Sequence, residues 1–423
     1  MDDVWSVIFE FMPVDTVLVC MSVNKFFNGC CSVKNIWTKF VKFDFEKVDK
    51  INDIEYLEDN HYNVYKLYYE LSNFRKLKNY NGDLNLFVQK NDIHLSKMEL
   101  TVIPTVLKLF KNLMCINMSI NNLTVIPREI GMFKKLYSLN ICNNNILELP
   151  TELGMLSELL YISFRKNKIN RIPTEIGCLK KLQRLDISDN NIFELPTEFG
   201  MLHALGELDM SNNKICKIPD EFGNLRNLWD LNFDNNKLYE LPDGFTKLNK
   251  LNTIGLDKNK FNVFPDVLCC LPNLYCLTLE NNNIINIPTV ISKLQELNIL
   301  IMSKNNLVII PTEIGLLKEL SELYISRNNL VNIPTEIGLL ENLVTLKAER
   351  NKLEILPMEL KNLIFLAELD LSDNKLTEIP DSICELCCSH DLSKVLFANN
   401  LIKNIPVELR NLEKRKGNFH LVV

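Results

Sequence analysis

From residue 104 to residue 406 the chain repeats one pattern of apolar and polar positions. A proline follows an apolar residue at Pro104, Pro127, Pro150, Pro173, Pro196, Pro219, Pro242, Pro265, Pro288, Pro311, Pro334, Pro357, Pro380 and Pro406; the first twelve intervals are 23 residues and the last is 26. Each unit reads L-x-x-L-x-L-x-x-N-x-L-x-x-I-P-x-E-I-G-x-L-x-x, as from Leu182 through Leu185, Ile187, Asn190, Ile192, Leu195, Pro196 and Phe199 to Gly200. The L-x-L stretch alternates with period two and predicts a short strand with one buried face. Proline lacks an N–H and fixes φ, so it predicts an irregular segment on the far side of each unit.

Six residues before the proline stands an asparagine in thirteen of the fourteen units: Asn121, Asn144, Asn167, Asn190, Asn213, Asn236, Asn259, Asn282, Asn305, Asn328, Asn351, Asn374 and Asn400. A buried turn there leaves backbone N–H and C=O groups unpaired, at roughly 1–3 kcal/mol each. A small amide side chain offers both a donor and an acceptor to satisfy them. One unit cannot bury its own leucines, whereas stacked units bury them against each other, at ~1.5–3 kcal/mol per aliphatic side chain. Fourteen parallel strands at ~4.8 Å predict an inner face on the order of 60 Å long. The first unit carries Met98 in place of the asparagine and reads as a cap. The longer last interval predicts an insertion at residues 384–390, on the convex side before a final strand near 395–397.

The motif resembles the leucine-rich-repeat superfamily, in the 23-residue form of intracellular Ras-binding scaffolds and their plant relatives, over roughly residues 82–411. The resemblance implies an α/β solenoid: a curved horseshoe with a parallel inner sheet and an irregular convex side, followed by a tail at 412–423.

Residues 1–41 follow a different pattern. Val4, Ile8, Phe11 and Met12 make one helical stripe that Pro13 ends. Asp15 can cap a second helix with Val14, Val17, Leu18 and Met21 on one face, and Val23, Phe26, Phe27, Ile36, Trp37, Phe40 and Val41 follow. So short a segment needs a partner to complete its core. The stretch VWSVIFEFMPVDTVLVCMSVNKFFNGCCSVKNIWTKF resembles an F-box in its Met12-Pro13, its Val23 and Phe27, and its Ile36-Trp37. That resemblance implies a small all-α domain in which Ile8, Met12, Pro13, Val17, Leu18, Val23, Phe27 and Trp37 meet a Skp-type adaptor of cullin–RING ubiquitin ligases, leaving the repeats to hold a substrate. A helical cap that only shields the first repeat is the plainer alternative. Residues 42–81 read as a helical connector, with Val64, Leu67, Tyr68, Leu71 and Phe74 on one stripe and a turn at 79–83.

Charge and composition narrow the function classes. A net charge of −6 gives nucleic acid no electrostatic attraction. No run of 18 apolar residues spans a membrane. The acidic Met1-Asp2-Asp3 start lacks a signal-peptide n-region. Thirteen cysteines without a framework spacing read as reduced thiols in the cytoplasm or nucleus. Phosphate-cradling glycine motifs and nucleophile–histidine pairings are missing from the sequence. Cys384, Cys387, Cys388 and His390 crowd into seven residues and predict no closed zinc site. No enzyme activity and no cofactor are expected.

The positions twelve, ten, eight and seven residues before each proline are expected to face solvent on the concave side. They include Asp186, Glu207, Asp209, Asp230, Asp234, Asp257 and Glu280, fenced by Tyr161, Arg165, Lys166 and Arg184 and later by Tyr324, Arg327, Lys347 and Arg350. Such an acidic strip suits a partner with a basic surface; ordinary solvated charge is the bland alternative. Ile299, Ile301 and Leu396 are apolar at the same positions. Three roles remain open: the substrate-recognition subunit of an SCF-type ligase, a scaffold for a small GTPase or phosphatase, and a decoy that occupies a host adaptor. Richness in Asn, Lys and Ile would fit an AT-rich genome, such as that of a protist or giant DNA virus.

Overall fold

A computed structural model of the chain describes residues 88–389, 392–409 and 420–422. Residues 1–41, with the F-box set, and the connector 42–81 lie outside the described residues. The described residues form one all-parallel sheet of fifteen three-residue strands in sequence order. It runs from β1 (Asp92–His94) and β2 (Cys115–Asn117) to β14 (Lys394–Leu396) and β15 (His420–Val422). The register advances by one whole unit per strand, so Ile93 lies beside Ile116 and Ile116 beside Leu139. The central residue of each strand from β1 to β14 is buried, as the period-two pattern requires. β15 pairs with β14 inside the stretch expected to be a tail.

The convex side is more regular than the sequence suggested. Each proline from Pro104 to Pro357 caps a five-residue 3-10 helix. The proline carbonyl accepts the N–H three residues on, as in Phe199 N–H to Pro196 O at 3.0 Å. Proline cannot extend the strand, but it presets φ for this helical turn. At least one side chain of each helix enters the core, and Phe199, Phe222 and Phe245 stack with ring centroids 6.0 and 5.4 Å apart. The glycine of the E-I-G triplet lets successive turns close on each other: a Cβ on Gly177 would stand 2.6 Å from Glu198 O. The last, longer interval holds the one α-helix that spans more than a turn among the described residues, α1 (Asp381–Ser389), at the predicted insertion.

The asparagines do more than fill a turn. Asn144 Nδ2 donates to Ile141 O at 3.1 Å and Cys142 O at 3.2 Å in its own unit. It also donates to Met118 O at 3.0 Å in the preceding unit, while its Oδ1 accepts the Leu123 N–H at 3.0 Å. The same bonds recur from Asn121 to Asn400, and every amide from Asn121 to Asn374 is buried. Between β1 and β2 the register would hand Leu95 O to the N–H of Ser119 if the strand continued. Asn121 Nδ2 takes that carbonyl at 2.7 Å instead, which ends the strand after three residues. Met98, in the first unit, gives its N–H to Asn121 Oδ1 at 3.0 Å, so the cap borrows its neighbour's amide.

The residue before each asparagine has a left-handed backbone, from Ile120 (φ 55°) through Lys166 (φ 54°) to Asn399 (φ 58°). This conformation costs a non-glycine residue ~1–2 kcal/mol, and Asn or Asp, which tolerate it best, fill seven of these thirteen positions.

Candidate partner-binding face

The two outer residues of each strand project from the sheet opposite the core, on the inner face. Between β5 (Arg184–Asp186), β6 (Glu207–Asp209) and β7 (Asp230–Asn232) they enclose a cavity of about 180 Å³. Its polar lining is Arg184, Asp186, Glu207, Asp209, Asp230 and Asn232. Four carboxylates thus face one guanidinium, whose Nε lies 3.1 Å from Glu207 Oε2. Asp186, Asp209 and Asp230 have no salt bridge among the described residues. Burial, and then the charges of Glu207 and Asp209, push the Asp230 carboxyl above its ordinary range against the opposing pull of Arg184.

Part of the acidic strip is structural. Asp186 Oδ1 accepts the Ser188 N–H at 3.1 Å and Asp209 Oδ1 accepts that of Ser211 at 2.9 Å. Asn117, Asn140 and Asn232 do the same for Ser119, Cys142 and Asp234. The strand-ending asparagine leaves this N–H without a ladder partner, and the residue two before it supplies an oxygen. Where the accepting position is Gly255, which has no side chain, Asp234 reaches over from the preceding unit to cap the Asp257 N–H at 2.8 Å, and Asp257 then caps Glu280 at 2.6 Å. A Cβ on Gly255 would stand 2.8 Å from Asp234 Oδ1, so this glycine makes room for the carboxylate. Burial and the neighbouring Asp257 push Asp234 up to about 6. Burial raises Asp257 as well.

The structure therefore gathers Arg184, Asp186, Glu207, Asp209 and Asp230 in one cavity, with Asp234 and Asp257 stacked beside it. Tyr161 and Arg165 are exposed just before it, and Arg165 is bonded to Asp189 at 3.2 Å. Tyr324 lies on the eleventh strand, remote from the cavity, with its hydroxyl on Glu322 Oε2 at 2.7 Å and Lys347 Nζ 5.5 Å from its ring centre. The positions eight before the proline are not uniformly open: Ser188, Ser211, Ser303 and Ser326 are buried. Ile299 and Ile301 are half-buried.

One residue escaped the sequence reading. Trp229, 46% exposed, precedes Asp230 and lies across Gly206, whose missing Cβ would meet the indole Nε1 at 3.0 Å. It sits thirteen residues before its proline, one position outside those expected to face solvent. The signal was available in Gly206, a glycine where equivalent positions hold Tyr137, Leu160 and Gln183. An aromatic plane beside uncompensated carboxylates favours a cation.

Comparison with known proteins agrees with this geometry. Residues 150–235 match the family model described as a leucine-rich repeat region, and residues 365–386 match that of a single leucine-rich repeat. No curated protein matches. Among solved structures, a leucine-rich-repeat protein of Leptospira interrogans is 29% identical over 81% of this chain and 98% of its own, with a TM-score of 0.67. A plant peptide hormone receptor, solved in complex with RGF2, is 31% identical over 79% of this chain but only 55% of the receptor, with a TM-score of 0.68. An internalin of Listeria monocytogenes, 19% identical over 83% of this chain and 93% of its own with a TM-score of 0.62, shares the fold. With one parallel strand per unit and a bonded asparagine in each unit after the first, the described residues share the fold of leucine-rich-repeat solenoids.

Proposed function

We propose that the chain is a non-catalytic recognition protein that holds a protein partner with a basic surface against the inner face between β5 and the ninth strand. The observation that carries this reading is the cavity of Asp186, Glu207, Asp209 and Asp230 with a single cation, Arg184, at its wall. A lysine or arginine entering it gains the attraction of carboxylates that are already partly desolvated. The similar plant peptide hormone receptor was solved in complex with RGF2, so a solenoid of this kind can hold a peptide ligand.

Residues 1–41 support a finer reading, in which their F-box resemblance docks a Skp-type adaptor and the solenoid presents a substrate to a cullin–RING ubiquitin ligase. The chain would then act by proximity, raising the local concentration of a substrate lysine near the conjugating enzyme. A GTPase or phosphatase scaffold would use the inner face alone, and a decoy would use the adaptor site alone.

Two captures from cell extract separate these readings. Full-length protein is expected to recover the adaptor and a basic partner. Deletion of residues 1–41 is expected to lose only the adaptor; equal adaptor recovery would remove the ligase reading. The double variant Glu207→Lys/Asp230→Lys, which touches no backbone cap, is expected to lose only the inner-face partner; undiminished recovery would remove the inner-face reading.

A further inference from the structure

The segment between the asparagine and the proline of each unit forms one flank of the solenoid, away from the inner face. The residues two and three before the proline are exposed there in every unit from the first to the twelfth, which makes the repeats their own control. In the third to seventh units this flank is charged, with Glu148, Arg171, Glu194, Lys217 and Glu240. In the eighth to eleventh units the same two columns hold only Asn262 and Val263, Ile285 and Asn286, Val308 and Ile309, and Val331 and Asn332. Charge returns with Glu354, beside Ile355.

The apolar residues of this band are open: Val263 is 67% exposed, Ile309 61% and Ile355 72%. Backbone bonds join the ninth unit to the tenth and the eleventh to the twelfth along it. Val308 N–H donates to Ile285 O at 3.2 Å, Asn286 and Ile309 form a parallel bridge, and Glu354 N–H donates to Val331 O at 3.4 Å. Together the six β-branched side chains expose on the order of 600 Å², the upper end of what a monomer shows. A standard dimer covers about 800 Å² on each partner, and the exposed asparagines between the apolar residues bring the band to that size.

We infer that this uncharged flank, from Val263 to Ile355, is a self-association surface that packs against the same flank of a second copy. An area without charge carries no signal for an oppositely charged partner, and loss of charge at the centre with polar residues around it is the mark of an interface core. A second copy meets both conditions, because a two-fold axis sets the band against itself and leaves the charged third to seventh units outside. The inner face then remains free in each copy, so the dimer would present two partner sites.

The test is the mass of the full-length chain in solution by sedimentation equilibrium over micromolar concentrations. Wild type is expected to be a dimer. Ile309→Lys places a charge at the centre of the band twice per dimer, and is expected to weaken association at least about tenfold. Val125→Lys, in the same column of the second unit and 63% exposed, is expected to leave it unchanged. Circular dichroism melting of all three proteins checks that each is folded. A monomeric wild type, or a dimer that Ile309→Lys and Val125→Lys affect equally, would overturn the inference.

Discussion

Two stretches of the inner face share one backbone and differ in what their charges do. From β5 to the eighth strand, Asp186, Asp209 and Asp230 have no salt bridge among the described residues, and burial, with repulsion from neighbouring carboxylates, raises Asp230, Asp234 and Asp257. From the eleventh strand to β14, more of the charges pair off, although Glu322, Glu349 and Asp370 have no salt bridge among the described residues. Glu368 receives Lys394 at 2.6 Å and Lys347 at 3.4 Å, and Arg350 meets Asp373 at 3.3 Å. Burial would raise Glu368, but the two lysines outweigh it and the carboxyl falls below its ordinary range. The repeat fixes where side chains stand, and neighbours one unit away decide whether a charge is already answered. A surface that has answered its own charges has little left for a partner, which is why the partner is proposed to dock on the first stretch.

The largest effect tests whether the frame is common to both stretches. Asn213 makes three Nδ2 bonds, to Ile187 O, Met210 O and Ser211 O, and accepts the Ile192 N–H; Asn351 makes the equivalent set. Replacing either by leucine leaves several buried backbone groups unpaired, and each change is expected to cost on the order of 3 kcal/mol or more, read as a shift of the urea midpoint. A loss at one site and none at the other would show that the two stretches are held by different means.

The frame was legible in the sequence because its requirements recur at a fixed interval. Asn121 to Asn400 and the prolines named the strand, the turn and the stacking direction. The 3-10 helices were not legible, since a proline excludes a strand without choosing what replaces it. The double use of the acids was hidden for another reason. That Asp209 caps Ser211, and that Gly255 passes the same duty to Asp234, depends on which N–H groups the asparagines leave over. Trp229 was missed because its exposure depends on Gly206, in the previous unit.

A middle-sized effect separates the two stretches by pH. Asp234 holds its proton more tightly folded than unfolded, so its contribution to stability falls as pH rises from about 4 toward its folded value, about 6. Glu368 has the opposite sign, because its lowered value adds stability above its ordinary 4.5 that is lost as pH falls. Comparing wild type with Asp234→Asn and with Glu368→Gln, the difference in urea midpoint is expected to grow with pH in both pairs. Asp234→Asn should become the more stable protein of its pair and Glu368→Gln the less stable of its own. The same trend in both would erase the distinction. At neutral pH, Glu368→Gln is expected to cost about 1 kcal/mol or less, as for partly exposed ion pairs.

The smallest effect concerns Asp209→Asn. Asparagine presents the same capping oxygen, as Asn232 does one strand on, so stability is expected to hold within about 0.5 kcal/mol while capture of a basic partner weakens. Asp209→Ala, which removes the cap, is expected to lose about 1 kcal/mol. Equal melting of the two variants would mean that the cap contributes nothing.

The most direct measurement is a carboxyl titration of the full-length chain by carbon-detected NMR, with Asp234→Asn and Glu368→Gln to assign the two resonances. Asp234 is expected to titrate near 6 and Glu368 below 4.5. Both groups titrating together in the ordinary carboxylate range would mean that the first stretch holds no unanswered charge, and the inner face would lose its claim to a basic partner.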